Sequence, residues 1–313
     1  MFEYAKVYTD VNTKLTSKTG EYLINPALVK IKQTDAKDKE NVLKIGLKYG
    51  NNNPQSYGRN NDASAYYKIG ETITIKPYDI EKNSKLYTSM DKPIELKLER
   101  ENIIEFYYYL VQAQLRLPVF DTDKVLPGFT LPNADIKVKV SQREYRAQAN
   151  EDGFFEIDME GLNAGDTLSI FANSKPAGSF TVEAYTGKEY IVKDNNLLRY
   201  MGNEKNLTIP VAVSGAGDIK EIGNFALYGK GLKTVIIPEK VSTVGAGAFM
   251  DNDLESFGFN LNNINLSSLR IIKEYAFKNN KLKAVNALPE LTHVIQTKAF
   301  ENNELEKIGR AHV

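Results

Sequence analysis

The sequence contains no cysteine, no tryptophan and only two histidines, His293 and His312. The missing cysteine excludes disulfides, thiolate metal sites and cysteine nucleophiles together. The shortage of histidine leaves almost no material for imidazole-based acid–base or metal chemistry. Neither charge sign is in excess: 40 Lys and Arg balance 40 Asp and Glu. Nothing in that balance predicts attraction to nucleic acid or to an anionic membrane. No run of 18 apolar residues occurs, so no membrane-spanning helix is expected. Met1 to Asp10 lacks the basic start and apolar core of a secretory leader. No anchoring signal closes the chain. The sequence is therefore expected to be a piece of a longer protein, with Arg310-Ala311-His312-Val313 as a cloning scar or a truncation.

What is present is 313 residues at 42% hydrophobic content, enough for two or three domains with real cores. The aromatic set is dominated by 18 tyrosines over 14 phenylalanines, which leans towards exposed β-sheet surfaces. Residues 1–112 read as short strands and polar loops. Ile73 and Ile75 alternate with polar neighbours, as do Ile94, Leu96 and Leu98, which is the period of a half-buried strand. Ile103 to Val111 is a longer β-branched and aromatic run, and Asn51 to Asp62 is a loop. Residues 117–186 carry a second set. Ile136, Val138 and Val140 alternate with lysines; Asn150 to Gly153 and Asn163 to Asp166 are turn signals before Phe154 and Leu168. Strands at such short spacing argue for a β-sandwich.

Residues 187–309 carry an internal repeat. Ile222-x-x-x-Ala226-Leu227, Val244-x-x-x-Ala248-Phe249, Ile272-x-x-x-Ala276-Phe277 and Ile295-x-x-x-Ala299-Phe300 are each followed, six residues after the alanine, by Leu232, Leu254, Leu282 and Leu305, then by Val235, Phe257, Val285 and Ile308. The alanines are 22, 28 and 23 residues apart, a fixed inner phase with one insertion near Phe259 to Asn263. Ile-x-x-x-Ala-Phe alone would suit four amphipathic helix–loop units. The constant six-residue phase favours a solenoid, in which each turn buries its apolar side only against the next. The Leu-x-x-Val segments are expected to form a parallel sheet. The Ala-Phe segments are expected to form the opposite wall, alanine permitting close approach and phenylalanine filling the interior.

This last region resembles the BspA-type leucine-rich repeats of bacterial surface proteins, with Leu198, Tyr200, Gly202, Leu207, Ile209 and Pro210 as its lead-in; Lys273 and Gln296 depart from the glycine of Gly223 and Gly245. Residues 117–186 resemble a bacterial immunoglobulin-like domain through Leu126-Pro127-Gly128, Ile136-Lys137-Val138 and Ala164-Gly165-Asp166-Thr167. Residues 1–112 resemble the mucin-binding-protein type repeat of Gram-positive surface proteins through Lys68 to Ile73, Ile94-Glu95-Leu96 and Asn102 to Tyr108. The resemblances imply a mainly β, multidomain chain, two small β-domains followed by a leucine-rich repeat solenoid, outside the cell or on the wall of a Gram-positive bacterium. An intramolecular Lys–Asn cross-link, known from Gram-positive adhesin domains, is a further alternative, whose residues the sequence does not pair.

Residues with chemical potential have plainer readings. His293 lies at a repeat junction and reads as a bystander. Gly215-Ala216-Gly217 and Gly245-Ala246-Gly247 read as solenoid turns rather than phosphate cradles. Asp121-x-Asp123 and Asp251-x-Asp253 read as solvated turns before they read as calcium ligands or a glycosidase pair. Tyr107, Tyr108 and Tyr109 read as core or edge strand, with an exposed aromatic platform as the alternative. No enzyme, metal or cofactor is expected, and no nucleic acid. The expected function is adhesion or ligand binding by a monomer, the partner being a host protein, mucin, glycan or another surface molecule. The expected binding residues are Lys233, Thr234, Glu255, Ser256, Lys283, Ala284, Glu306 and Lys307. An accessory or spacer region of a larger extracellular enzyme is the competing reading.

Overall fold

A computed structural model describes residues 111–259, 268–289 and 292–310, together with the strands of the first 110 residues and positions 79, 84 and 92. The expectations for Met1 to Asp10, Asn51 to Asp62, most of the insertion after Phe259, and His312 fall outside the described residues. The chain divides into two compact units, Met1–Val111 and Gln112–Val313. Among the described residues there is no helix.

In the first unit a five-stranded sheet runs in the order Ala63–Lys68, Pro26–Asp35, Glu101–Leu110, Lys85–Ser89, Ile80–Lys82. Its two long central strands are parallel, in register from Glu101 opposite Leu28 to Tyr108 opposite Asp35. The tyrosine run is therefore on a central strand rather than at an edge. A separate sheet pairs Thr72–Lys76 with Lys48–Tyr49 on one side and Ile94–Lys97 on the other.

The second unit begins with two antiparallel-rich sheets. One has the order Gln114–Leu115, Val125–Phe129, Phe154–Asp158; the other has the order Val119–Phe120, Lys175–Glu183, Thr167–Ala172, Asp135–Val140, Arg143–Gln148. The alternation read from Asp135 to Val140 sets their faces: Ile136, Val138 and Val140 are buried, while Lys139 between them is exposed. The turn at Asn150 is held by its side-chain oxygen, which accepts from the N–H groups of Asp152 and Phe154 at 3.0 Å each. Gly153 is required there. Its φ is +80°, and a Cβ would stand 2.2 Å from the Thr130 carbonyl oxygen.

From Tyr190 onwards the chain coils as a solenoid. Its short strands Asn196–Tyr200, Glu221–Ile222, Thr243–Val244, Ile271–Ile272 and Val294–Ile295 stack in parallel, and Tyr190–Lys193 covers the first of them antiparallel. The Leu-x-x-Val segments form the other strand face. Asn206–Thr208, Thr234–Ile237 and Ser256–Phe259 make one parallel sheet, and Ala284–Leu288 with Lys307–Arg310 make a second. The two are separated in sequence by the insertion.

Between the strand faces runs the Ala-Phe wall. The residues before alanine (Phe225, Gly247, Tyr275, Lys298) and three after it (Gly229, Asp251, Asn279, Asn302) all have φ between 54° and 64°, the left-handed region. Gly, Asn and Asp enter that region at low cost, whereas Phe225 and Tyr275 do so at about 1–2 kcal/mol each. Two such residues per turn aim the peptide groups along the solenoid axis. The N–H groups of Phe225, Leu227 and Gly229 donate to the carbonyls of Ala246, Ala248 and Met250, and Gly247, Phe249 and Asp251 repeat the pattern onto Glu274, Ala276 and Lys278. Inside, Phe249, Phe277 and Phe300 stack at 5.0 and 5.1 Å.

A buried asparagine four residues after the alanine completes the register. Asn280 Oδ1 accepts from Leu254 N–H at 3.0 Å, and its Nδ2 donates to the carbonyls of Phe249 at 2.9 Å and Phe277 at 3.0 Å. Asn252 and Asn303 make the same bonds one turn earlier and later. In the first unit of the repeat the position is Lys230, which instead reaches the Gly202 carbonyl at 3.4 Å. Asn280→Ala would leave the buried Leu254 N–H unpaired, at about 1–3 kcal/mol, while the Phe249 and Phe277 carbonyls keep their bonds from Asn252 and Asn303. Urea unfolding is expected to show a loss of about 1–3 kcal/mol, whereas Lys281→Ala, which removes an exposed ion pair to Asp253, should cost less than about 1 kcal/mol.

Candidate interaction surface

The repeats offer three long faces, and the structure assigns one of them to internal packing. The two-sheet segment lies against the Ala-Phe wall. Phe129, at the end of Val125–Phe129, stacks on Phe225 at 5.0 Å and on Tyr275 at 4.9 Å. Between those rings the repeat has Gly247, where a Cβ would meet Phe225 at 2.7 Å and Phe129 at 3.5 Å. Phe154 adds contacts to Phe225 and Tyr228 at 6.2 and 5.9 Å. Tyr228 is buried, and burial, followed by its hydrogen bond with Glu156, pushes its hydroxyl well above the usual phenol range. The residues read from sequence as successive modules, 117–186 and 187–309, thus share one buried aromatic seam within a single compact unit.

Charged clamps close both ends of the seam. At one, Arg199 holds Asp123 through two bonds of 2.7 Å, donates to the Pro118 carbonyl at 2.9 Å, and lies 4.9 Å from the Phe120 ring centre. Arg116 contacts the same carboxylate at 3.5 Å. Burial, and then the neighbouring Arg199, push the Arg116 guanidinium down to about 10. At the other end Asp152 accepts from Lys278 at 2.7 Å and Lys298 at 2.6 Å, and both lysines pair with Glu301. Burial alone would raise the Asp152 carboxyl, but its bonds to Lys278 and Lys298 hold it below the usual range. Glu301 is lowered first by its bond from Lys278.

These contacts settle where several singled-out residues lie. Asp123 is committed to Arg199, and Asp121 accepts the Tyr185 N–H at 3.0 Å. Asp251 accepts from Asn279 at 2.6 Å and Asp253 from Lys281 at 2.6 Å. The two pairs hold turns and the seam, which corrects the reading of Asp123 as part of a solvated turn. His293 is exposed. Neither the seam nor the asparagine ladder was read from the sequence. The ladder had a signal, an Asn four residues after three of the four alanines. The seam had none, because Phe129, Asp123 and Asp152 lie in a segment with a different period.

The expected binding residues lie on the Leu-x-x-Val face. Lys233, Glu255, Ser256, Lys283 and Glu306 are exposed, and Thr234 and Ala284 are half-buried. Lys307 begins the last strand. Backbone bonds align Lys205, Lys233 and Glu255 in one row, and Asn206, Thr234 and Ser256 in the next, where Thr234 Oγ1 donates to Asn206 Oδ1 at 3.0 Å. Lys283 and Glu306 form a corresponding row on the second sheet. The face is thus a polar surface of mixed charge beside a strip of small hydroxyl and amide groups that can form hydrogen bonds and ion pairs.

Residues 200–309 match the family described as BspA type leucine rich repeat region, in six copies. No curated protein matches. Among solved structures, a leucine-rich repeat protein from Bacteroides capillosus is 21% identical, with a TM-score of 0.33 over 38% of this chain and 91% of that one. The T. pallidum leucine-rich repeat protein is 21% identical, with a TM-score of 0.28 over 38% of this chain and 66% of its own. A leucine-rich cell surface protein from Faecalibacterium prausnitzii is 20% identical, with a TM-score of 0.18 over 40% of this chain and 53% of its own.

Two outcomes follow from the clamps. Arg199→Ala leaves the buried Asp123 carboxylate with only the Phe120 N–H and the 3.5 Å contact to Arg116, and a loss of about 3 kcal/mol in urea unfolding is expected. For Asp152 and Glu301 the folded carboxyls titrate below their ordinary values of 3.8 and 4.5. Their contribution is therefore full above those values and is lost as pH falls through the lower folded-state values. The melting temperature should drop on acidification below pH 4.5, with a shallower acid limb in Asp152→Asn.

Proposed function

We propose that the chain is a non-catalytic, ligand-binding part of a bacterial surface protein, with the Leu-x-x-Val face of its repeats as the binding surface. One observation carries the reading. The Ala-Phe wall is taken by Phe129, Phe154 and the Asp123 and Asp152 clamps, whereas the strand face keeps Lys233, Glu255, Ser256, Lys283 and Glu306 in solvent. Surface display is supported by the BspA-type repeat match and fits a chain without cysteine. No helix among the described residues is long and apolar enough to cross a membrane.

The finer assignments belong to the same proposal. Residues 117–186 act as an immunoglobulin-like module whose sheets brace the solenoid, and residues 1–112 act as a mucin-binding-like domain of Gram-positive type. The non-catalytic reading draws on the engagement of Asp121, Asp123, Asp251 and Asp253 in structural bonds. Partners are extended polar polymers or protein surfaces, such as a mucin, a glycan or a host protein, because the face offers rows of charges and hydroxyl groups rather than one deep pocket.

The fragment to test is 112–313. A cut at 187 would uncover Phe225, Tyr228 and Tyr275, which the two-sheet segment buries. Binding of 112–313 to immobilised mucins, matrix proteins and glycans, measured by biolayer interferometry, is expected to be saturable. Combined Lys233→Glu, Lys283→Glu and Lys307→Glu should weaken it at least tenfold, and unchanged affinity would remove this face from the function.

A further inference from the structure

The short-strand face carries a second feature. Each strand there presents one residue outward and one inward: Glu221 and Thr243 face out, while Ile222 and Val244 are buried. The next position is Gly223 and then Gly245. Stacking demands this, because a Cβ on Gly245 would stand 2.6 Å from the Gly223 carbonyl carbon. The bare backbone leaves a trough. At the following turn Lys273 replaces the glycine and ends it. Leu115 and Leu117 of the two-sheet segment form the opposite wall, giving a groove of about 240 Å3. Leu117 is 40% exposed, one of two large hydrophobic residues so exposed among the described residues.

One polar group of the groove is satisfied within the repeat, Asn224 Oδ1 accepting from the Ala246 N–H at 2.9 Å. Asn196 Oδ1 is buried without a hydrogen-bond partner. Glu221 is exposed at one end and Lys273 half-exposed at the other. Neither forms an ion pair with another described residue. Glu221 and Lys273 belong to turns two strands apart, about 10 Å at the usual strand spacing. An extended chain covers about 3.3–3.6 Å per residue, so about three residues span the distance.

We propose that this groove binds a short, unblocked peptide of about three residues with an apolar side chain. Its ammonium group meets the Glu221 carboxylate. Its carboxylate accepts from Lys273 Nζ, and its apolar side chain covers Leu117. Such a ligand matches two charges that have no ion-pair partner among the described residues, which a neutral glycan or a polyanion does not. The site lies on a different face from the Leu-x-x-Val surface and does not depend on it.

The test is calorimetric titration of the full chain with Ala-Leu-Ala and with its N-acetylated and C-amidated forms. Saturable binding of the free tripeptide is expected, with at least tenfold weaker binding of each blocked form. Lys273→Gln should weaken the free peptide at least tenfold without further weakening the amide. Glu221→Gln should do the same with respect to the acetylated form. Lys283→Gln, on the other strand face, should change nothing, and melting temperatures show that the variants stay folded. No saturable binding, or equal binding of a blocked form, overturns the proposal. Retained affinity in folded Lys273→Gln overturns it as well.

Discussion

Every described turn of the solenoid depends on peptide groups that point along the axis rather than across a sheet. The left-handed residues on either side of each alanine turn the backbone so that three N–H groups per turn meet the carbonyls of the next turn. A single turn cannot satisfy these groups and cannot bury its own phenylalanine. Stability is therefore held between neighbours, as in other quasi-one-dimensional folds. The buried asparagines strengthen this coupling. Each joins a carbonyl of its own turn to a carbonyl of the preceding one, so that the turns are fixed in rotation as well as in spacing.

The same wall explains how a second fold element came to share the unit. Left-handed φ at Phe225 and Tyr275 turns two aromatic side chains outward, with Gly247 between them, and this leaves a slot for one ring. Phe129 fills it, and the ion clusters at Asp123 and Asp152 fix the seam laterally. The net stability from buried ion pairs of this kind is small, since desolvation offsets much of their attraction. The seam takes one face of the repeats out of contact with solvent and leaves the two strand faces open.

The two strand faces differ in ways that follow from strand length. The four-residue strands of the Leu-x-x-Val face carry rows of charged and hydroxyl side chains, a broad polar surface. The two-residue strands opposite, followed by Gly223 and Gly245, leave backbone uncovered, and the concavity there is narrow and partly apolar. One repeat sequence thus yields two surfaces of different chemistry.

Sequence alone determined the solenoid, because its signal is local and repeated: an alanine, a leucine six residues later and a strand after that, each required by burial against the adjoining turn. It also fixed the strands and turns of 117–186, where alternation and the Asn150 and Gly153 turn chemistry act over a few residues. It did not reveal the seam. The distance from Asp123 to Arg199 is 76 residues and from Asp152 to Lys298 is 146, and no periodicity connects residues whose only relation is to meet across two differently built surfaces. Nor did it reveal the groove, whose walls come from a loop and from successive turns. Local spacing encodes which groups must be buried. Tertiary structure decided which of the faces left over is used internally and which stay open, because that depends on the fit of two surfaces rather than on either sequence.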